Sequence, residues 1–191
     1  SNHWNRTPGT KLSLTTYTNA DEVELLVNGK SYGIKKNDKA NPKMRNQIRW
    51  ENVVYQNGNC EAIARTNGKV VARHKIVTVG KAVALKAVAD NSDWKADGMD
   101  LQHIRIIAVD SKGRRVPNAV AEVKVNVVGD AQLVAMSNGN INSDELNVTD
   151  HQSLFNGSCL AILRSGVASS PVVVNISAPG LKAAKLKLAT K

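Results

Sequence analysis

Between residues 28 and 68, three Asn-Gly pairs, at 28–29, 57–58 and 67–68, punctuate a run of short alternating segments and constrain the fold more than any other feature. Asn and Gly both tolerate positive φ, which tight two-residue hairpins need and helices do not. The stretch YTNADEVELLVNGKSYG (17–33) shows the pattern. Val23, Leu25 and Val27 fall on one face of an extended strand, because successive side chains point to opposite sides. Glu22 and Glu24 fall on the other face, where water can solvate them. Asn28-Gly29 then turns the chain, and Ser31, Tyr32 and Gly33 begin the return strand. The segment reads as a half-buried hairpin rather than a metal or catalytic site.

The same grammar continues to the end. KLSLTTYT, IRWENVVY (48–55), CEAIART (60–66) and KVVARHKIVTV (69–79) are strand-like and end at Gly80. VALKAVAD (83–90), LQHIRIIAVD (101–110) and AEVKVNVVG (121–129) open a second series. QLVAMSNGN, SLFNGSCLAILRS, PVVVNISAPG and AAKLKLATK complete it, the last with Leu186 and Leu188 at period two. Short strands with turns every few residues specify an all-β fold of immunoglobulin-like β-sandwiches. We expect two consecutive domains, 1–80 and 81–191, with a short junction near 79–82 that holds them in a fairly fixed orientation.

The chain of 191 residues carries a formal charge of +10. Residues 1–80 hold 13 Lys or Arg against 6 acids, and residues 81–191 hold 13 against 10. The excess gathers between Lys30 and Arg49, with Lys35, Lys36, Lys39, Lys43 and Arg45, a stretch expected to be an exposed loop. Such a loop offers Coulomb attraction to an acidic glycan or partner. No helix-turn-helix, zinc-finger or aromatic stacking platform accompanies it, so nucleic acid is not an expected partner. No apolar run is long enough to span a membrane. The start, SNHWNRTPG, has no apolar signal core, and Ser1-Asn2 reads as an expression scar.

Catalytic patterns do not emerge. Glu22, Glu24, Glu51 and Glu61 lie on strands or beside turns without an evident partner across a pocket, as glycoside hydrolysis requires. His3, His74, His103 and His151 lack metal-ligand spacing, and the acids of DNSDWKADGMD (90–100) do not follow a calcium-loop pattern. No phosphate-cradling or nucleophile motif occurs, and no cofactor is implied. Cys60 and Cys159, in apolar contexts and separate domains, read as buried thiols. Trp50 and Trp94 read as core. Trp4 precedes every strand with nothing nearby to bury it, which makes it a candidate for a glycan or an interdomain contact, together with Lys35 and Lys36.

HWNR, the 17–33 hairpin, W-x-x-VVYQNGNCEAIA, TNGKVVA and TVG together resemble the region that follows the catalytic barrel in glycoside hydrolase family 2 enzymes of β-galactosidase type, often from gut Bacteroidetes. ADGMDLQHIRIIAVDSKGRRVPNA, the V-x-V-x-V strand with Gly129 and the SNGN turn resemble the last immunoglobulin-like domain of those enzymes, itself similar to invasin-like repeats. Arg6, Gln56-Asn57 and Cys60 depart from the usual wording, which includes a second aromatic and a proline. The resemblance implies a non-catalytic accessory region whose partner is the barrel of the same polypeptide, with the catalytic glutamates upstream. It also implies a periplasmic or secreted location. An independent carbohydrate-binding module, or an adhesin-like stalk, is the alternative reading. The pattern specifies no oligomeric state.

Overall fold

The computed structural model describes residues 3–191, so the reading of Ser1-Asn2 lies outside it. Every regular element among the described residues is a β-strand. The chain divides into two compact units, Ser1–Thr78 and Val79–Lys191.

The first unit contains β1 (Lys11–Tyr17), β2 (Glu22–Val27), β3 (Lys30–Lys36), β4 (Gln47–Val54), β5 (Asn59–Thr66) and β6 (Lys69–Val77). A two-stranded sheet, β1-β4, faces a four-stranded sheet ordered β3-β2-β5-β6, and all pairs are antiparallel. Val23, Leu25 and Val27 point inward from β2 and meet Ile48, Trp50 and Val53 of β4 in a single core. Period-two alternation puts five of these side chains on the facing surfaces of the two layers, and a β-bulge at Asn52, with φ of 56°, shifts the phase of β4 so that Val53 joins them.

Two of the three Asn-Gly pairs in this unit behave as hairpin turns. Asn28-Gly29 has φ of 51° and 80°, and Asn67-Gly68 has 50° and 74°, so both residues of each pair are left-handed. The third pair does not close a hairpin. Only Gly58 is at positive φ there, and the segment carries the chain from β4 across to β5 in the other sheet. The Asn28 side chain templates this crossing: its Nδ2 donates to the Asn57 carbonyl at 3.0 Å, and its Oδ1 accepts the Asn59 amide at 2.8 Å.

The basic segment also differs from the expected loop. Lys30, Lys35 and Lys36 belong to β3, an edge strand, and Arg49 to β4, leaving only residues 37–46 as loop. An edge strand exposes one row of backbone groups, and lysines there solvate it and oppose pairing with other chains. The loop is pinned by Asn37, whose Nδ2 donates to the Thr18 and Ala20 carbonyls while its Oδ1 accepts the Asn46 amide.

The second unit contains β7 (Ala84–Ala89), β8 (Leu101–Val109), β9 (Glu122–Val128), β10 (Ala131–Ser137), β11 (His151–Ser153), β12 (Ser158–Ser165), β13 (Pro171–Ala178) and β14 (Leu181–Ala189). Two antiparallel layers, β10-β12-β8-β7 and β14-β13-β9-β11, enclose the core. They are joined where β7 meets β14 in the unit's single parallel pairing, at Ala84 and Lys182. Ile104, Ile106, Val123, Val125, Leu163, Val172, Val174 and Ile176 interdigitate between the layers. Leu186 and Leu188 pair with Val174 and Val172, so the Ala-, Leu- and Lys-rich terminus is a strand. Trp94 plugs one end of the core, with its indole N–H donating to the Asp100 carbonyl at 3.0 Å.

Candidate functional site

The sequence singles out Trp4, Lys35 and Lys36, and the structure separates them into two settings. Trp4 is only 1% exposed, which corrects the expectation that nothing nearby buries it. Its ring meets Tyr55 edge-on at 5.1 Å between centroids, and its N–H donates to the Gln56 carbonyl at 3.1 Å. The burying partners lie about fifty residues away along the chain, beyond any local pattern. Tyr55 extends the cluster: its hydroxyl lies 2.9 Å from both Asn57 Oδ1 and Thr78 Oγ1. The indole face of Trp4 therefore closes a core and offers no open platform for a sugar.

Lys35 points inward from the β3 edge. Its ammonium donates to the Arg49 carbonyl at 2.7 Å and lies 5.7 Å from the centre of the Trp50 ring. It thus bridges the two layers at their open margin, where the cation meets the negative face of the indole. Lys36 is exposed and lines a surface cleft of about 520 Å³ with Asp21, Glu22, Asn37, Lys39, Asn67 and Gly68. Asp21 organises that cleft. It accepts from Lys39 at 2.7 Å and from the Asn67 amide at 2.9 Å, and the Lys39 bond holds its carboxyl below the ordinary range. The lining contains no aromatic ring, so the cleft has no stacking surface for a pyranose.

The carboxylates with shifted proton affinity are all structural, and all shift downward. Glu24, expected to be solvated, is half-buried against Arg65 at 2.8 Å, and that bond lowers its carboxyl. Asp110 is 3% exposed. Its Oδ2 takes two bonds from the Arg114 guanidinium and one from the Gly80 amide, while its Oδ1 accepts the Lys112 and Arg114 amides. The Arg114 bonds hold this carboxyl far below the usual range. Glu145 anchors the long loop between β10 and β11. Its oxygens accept from Ser153 N, Asn138 Nδ2, Ser143 Oγ and Gln152 Nε2, and these bonds, those from Ser153 first, bring it down to about 2.

A general acid in glycoside hydrolysis needs a carboxyl held protonated near neutral pH, by burial or a like charge. Hydrogen bonds and cations do the reverse here: Asp110 and Glu145 brace loops, and Glu24 ties β2 to Arg65 of β5. Among the described residues no group of three or more His, Cys, Asp or Glu side chains is placed to hold a metal ion. Both thiols are buried, which pushes Cys60 up to about 11 and Cys159 up to about 12, far from a reactive thiolate. Among the described residues no helix is long and apolar enough to cross a membrane.

Sequence reasoning missed Asp110 and Glu145 as hubs. A faint signal exists for the first: Asp110-Ser-Lys-Gly113 has the Asp and Gly of a side-chain-capped turn. Glu145 has none, because its ligands are gathered from both ends of a loop.

A scaffold with its acids committed to loops invites comparison with known proteins. The model for glycoside hydrolase family 2 C-terminal domain 5 matches residues 85–187, more than half of the chain. Residues 9–72 match a domain of unknown function, DUF4982. A β-galactosidase from Bacteroides ovatus is 35% identical over 190 residues, which cover 99% of this chain and 22% of that protein. A β-glucuronidase from Formosa agariphila is 29% identical, over 94% of this chain and 18% of that protein. The crystal structure of a glycoside hydrolase family 2 member from Bacteroides cellulosilyticus superposes with a TM-score of 0.94 at 32% identity. That superposition covers 100% of this chain and 24% of the other. The chain thus spans about a fifth to a quarter of the length of these relatives. It belongs to the glycoside hydrolase family 2 C-terminal domain 5 family.

Proposed function

We propose that this chain is the non-catalytic C-terminal region of a family 2 β-glycosidase, β-galactosidase-like, which packs on the catalytic barrel of the same polypeptide and stabilises it. One observation carries this reading. The match runs across nearly the whole chain, yet occupies only 22% of a β-galactosidase relative, while the acids that are held in place here support loops. The catalytic acid and nucleophile then belong to the remainder of the polypeptide. Two β-sandwiches supply what such a role requires, namely rigid cores and broad polar faces with no chemistry of their own.

The test compares three proteins: the full-length polypeptide, the same polypeptide lacking these 191 residues, and this chain alone. The full-length protein is expected to hydrolyse an aryl β-galactoside or an aryl β-glucuronide, and this chain alone neither. The truncated protein is expected to lose activity at a lower temperature than the full-length one. Hydrolysis by this chain alone contradicts the reading, as does a truncated enzyme with undiminished thermal resistance.

A further inference from the structure

The second sheet of the first unit ends in a strand that its own unit leaves open. Residues 69–75 of β6 are exposed on both faces, and β6 is the last strand of its sheet. The facing layer has only two strands, so Ala72 and His74, which pair with Ala64 and Ala62, lie beyond its cover. Beside its charges β6 also exposes two aliphatic residues: Val70 and Val71 are 47% and 57% exposed, apolar surface that a partner would cover.

A second observation concerns the path of the chain. The Trp4 carbonyl lies 3.4 Å from Thr78 Oγ1, and Thr78 immediately follows β6. Trp4, near the start of the described residues, therefore lies beside the C-terminal end of the open strand. The strand's own charges, Lys69, Arg73 and Lys75, indicate the partner's chemistry. Arg73 meets Glu61 at 3.1 Å, and Lys75 stands opposite the same Glu61 in the strand register, so one carboxylate stands against three cations and the strand keeps a net positive charge that an acidic surface would complement.

We propose that the free edge and outer side of β6 form the docking surface for the catalytic part of the same polypeptide. The contact on that part combines carboxylates opposite Lys69 and Lys75 with aliphatic side chains opposite Val70 and Val71. This rests on the reading of the chain as the C-terminal region of a glycosidase and names the surface through which it acts.

Hydrogen–deuterium exchange of the full-length polypeptide tests it, read on peptides covering Lys69–Lys75. In a strand bonded on one side only, alternate amides face solvent and exchange rapidly. Docking is expected to slow these outward amides as well, by about 100-fold. In the same polypeptide, a Lys69→Glu, Lys75→Glu double variant is expected to lose activity on heating about tenfold faster than the parent. Rapid exchange of half the β6 amides overturns the proposal and leaves an edge kept soluble by its lysines. So does unchanged thermal inactivation of the double variant. Failure of the full-length protein to hydrolyse any aryl β-glycoside would instead remove the glycosidase reading, whatever the exchange pattern shows.

Discussion

Trp4 joins the most N-terminal described segment to the first core, through the Tyr55 ring and the Gln56 carbonyl. Its replacement by Ala removes a large buried aromatic, so the first unit is expected to lose about 3–5 kcal/mol, read as a lower urea midpoint. An unchanged midpoint would mean that the indole is not part of the core. Glu145 makes a prediction in pH. Its folded-state affinity for protons lies near 2 against an ordinary value of 4.5, so its stabilising contribution is complete above pH 4.5 and lost as pH falls toward 2. Glu145→Gln is therefore expected to flatten the acid limb of the second unit's stability between these values. It is also expected to open residues 138–150 to protease at neutral pH, because Gln replaces one of the two accepting oxygens with an NH2 donor. The thiols supply a third check. With Cys60 and Cys159 raised to about 11 and 12 by burial, a thiol reagent at neutral pH is expected to react only as fast as the units open.

Turns separate what local sequence determines from what the fold imposes. Gly113 and Gly157 share a left-handed φ, 73° and 70°, but a Cβ at Gly113 would meet nothing within 4 Å. At Gly157 it would lie 2.0 Å from the Val116 carbonyl oxygen. Gly113→Ala is expected to cost about 1 kcal/mol and Gly157→Ala about 3 kcal/mol or more, compared by chemical unfolding. Equal costs would contradict the close approach. The strands themselves were legible because period two and a buried face agree: Val23, Leu25 and Val27, or Val123 and Val125, needed no tertiary knowledge. The Asn28-Gly29 and Asn67-Gly68 hairpins were legible for the same local reason. Asn57-Gly58 was not, since a remote side chain, Asn28, decides that the chain changes layers there. Lys35 and Lys36 misled in the same way: charge on consecutive residues looks like loop, yet an edge strand tolerates it on both faces. The candidate site was least legible of all, because the burial of Trp4 depends on Tyr55 and Gln56 from the far side of the unit.

For the whole molecule, architecture and charge lead to one division of labour. Two compact units, each with its own buried core, hold their shifted carboxylates in turns and ion pairs and bury both thiols. In the proposed function these two units brace a larger polypeptide. The relatives that the chain matches over nearly all its length are about four to five times longer. The most direct measurement is the mass of the native protein in its own host, detected with an antibody raised against this chain and followed by an assay on the captured product. The prediction is a polypeptide several times larger than 20.6 kDa that cleaves an aryl β-glycoside. A native product of about 20.6 kDa, or a large one with no hydrolytic activity on such substrates, would contradict it.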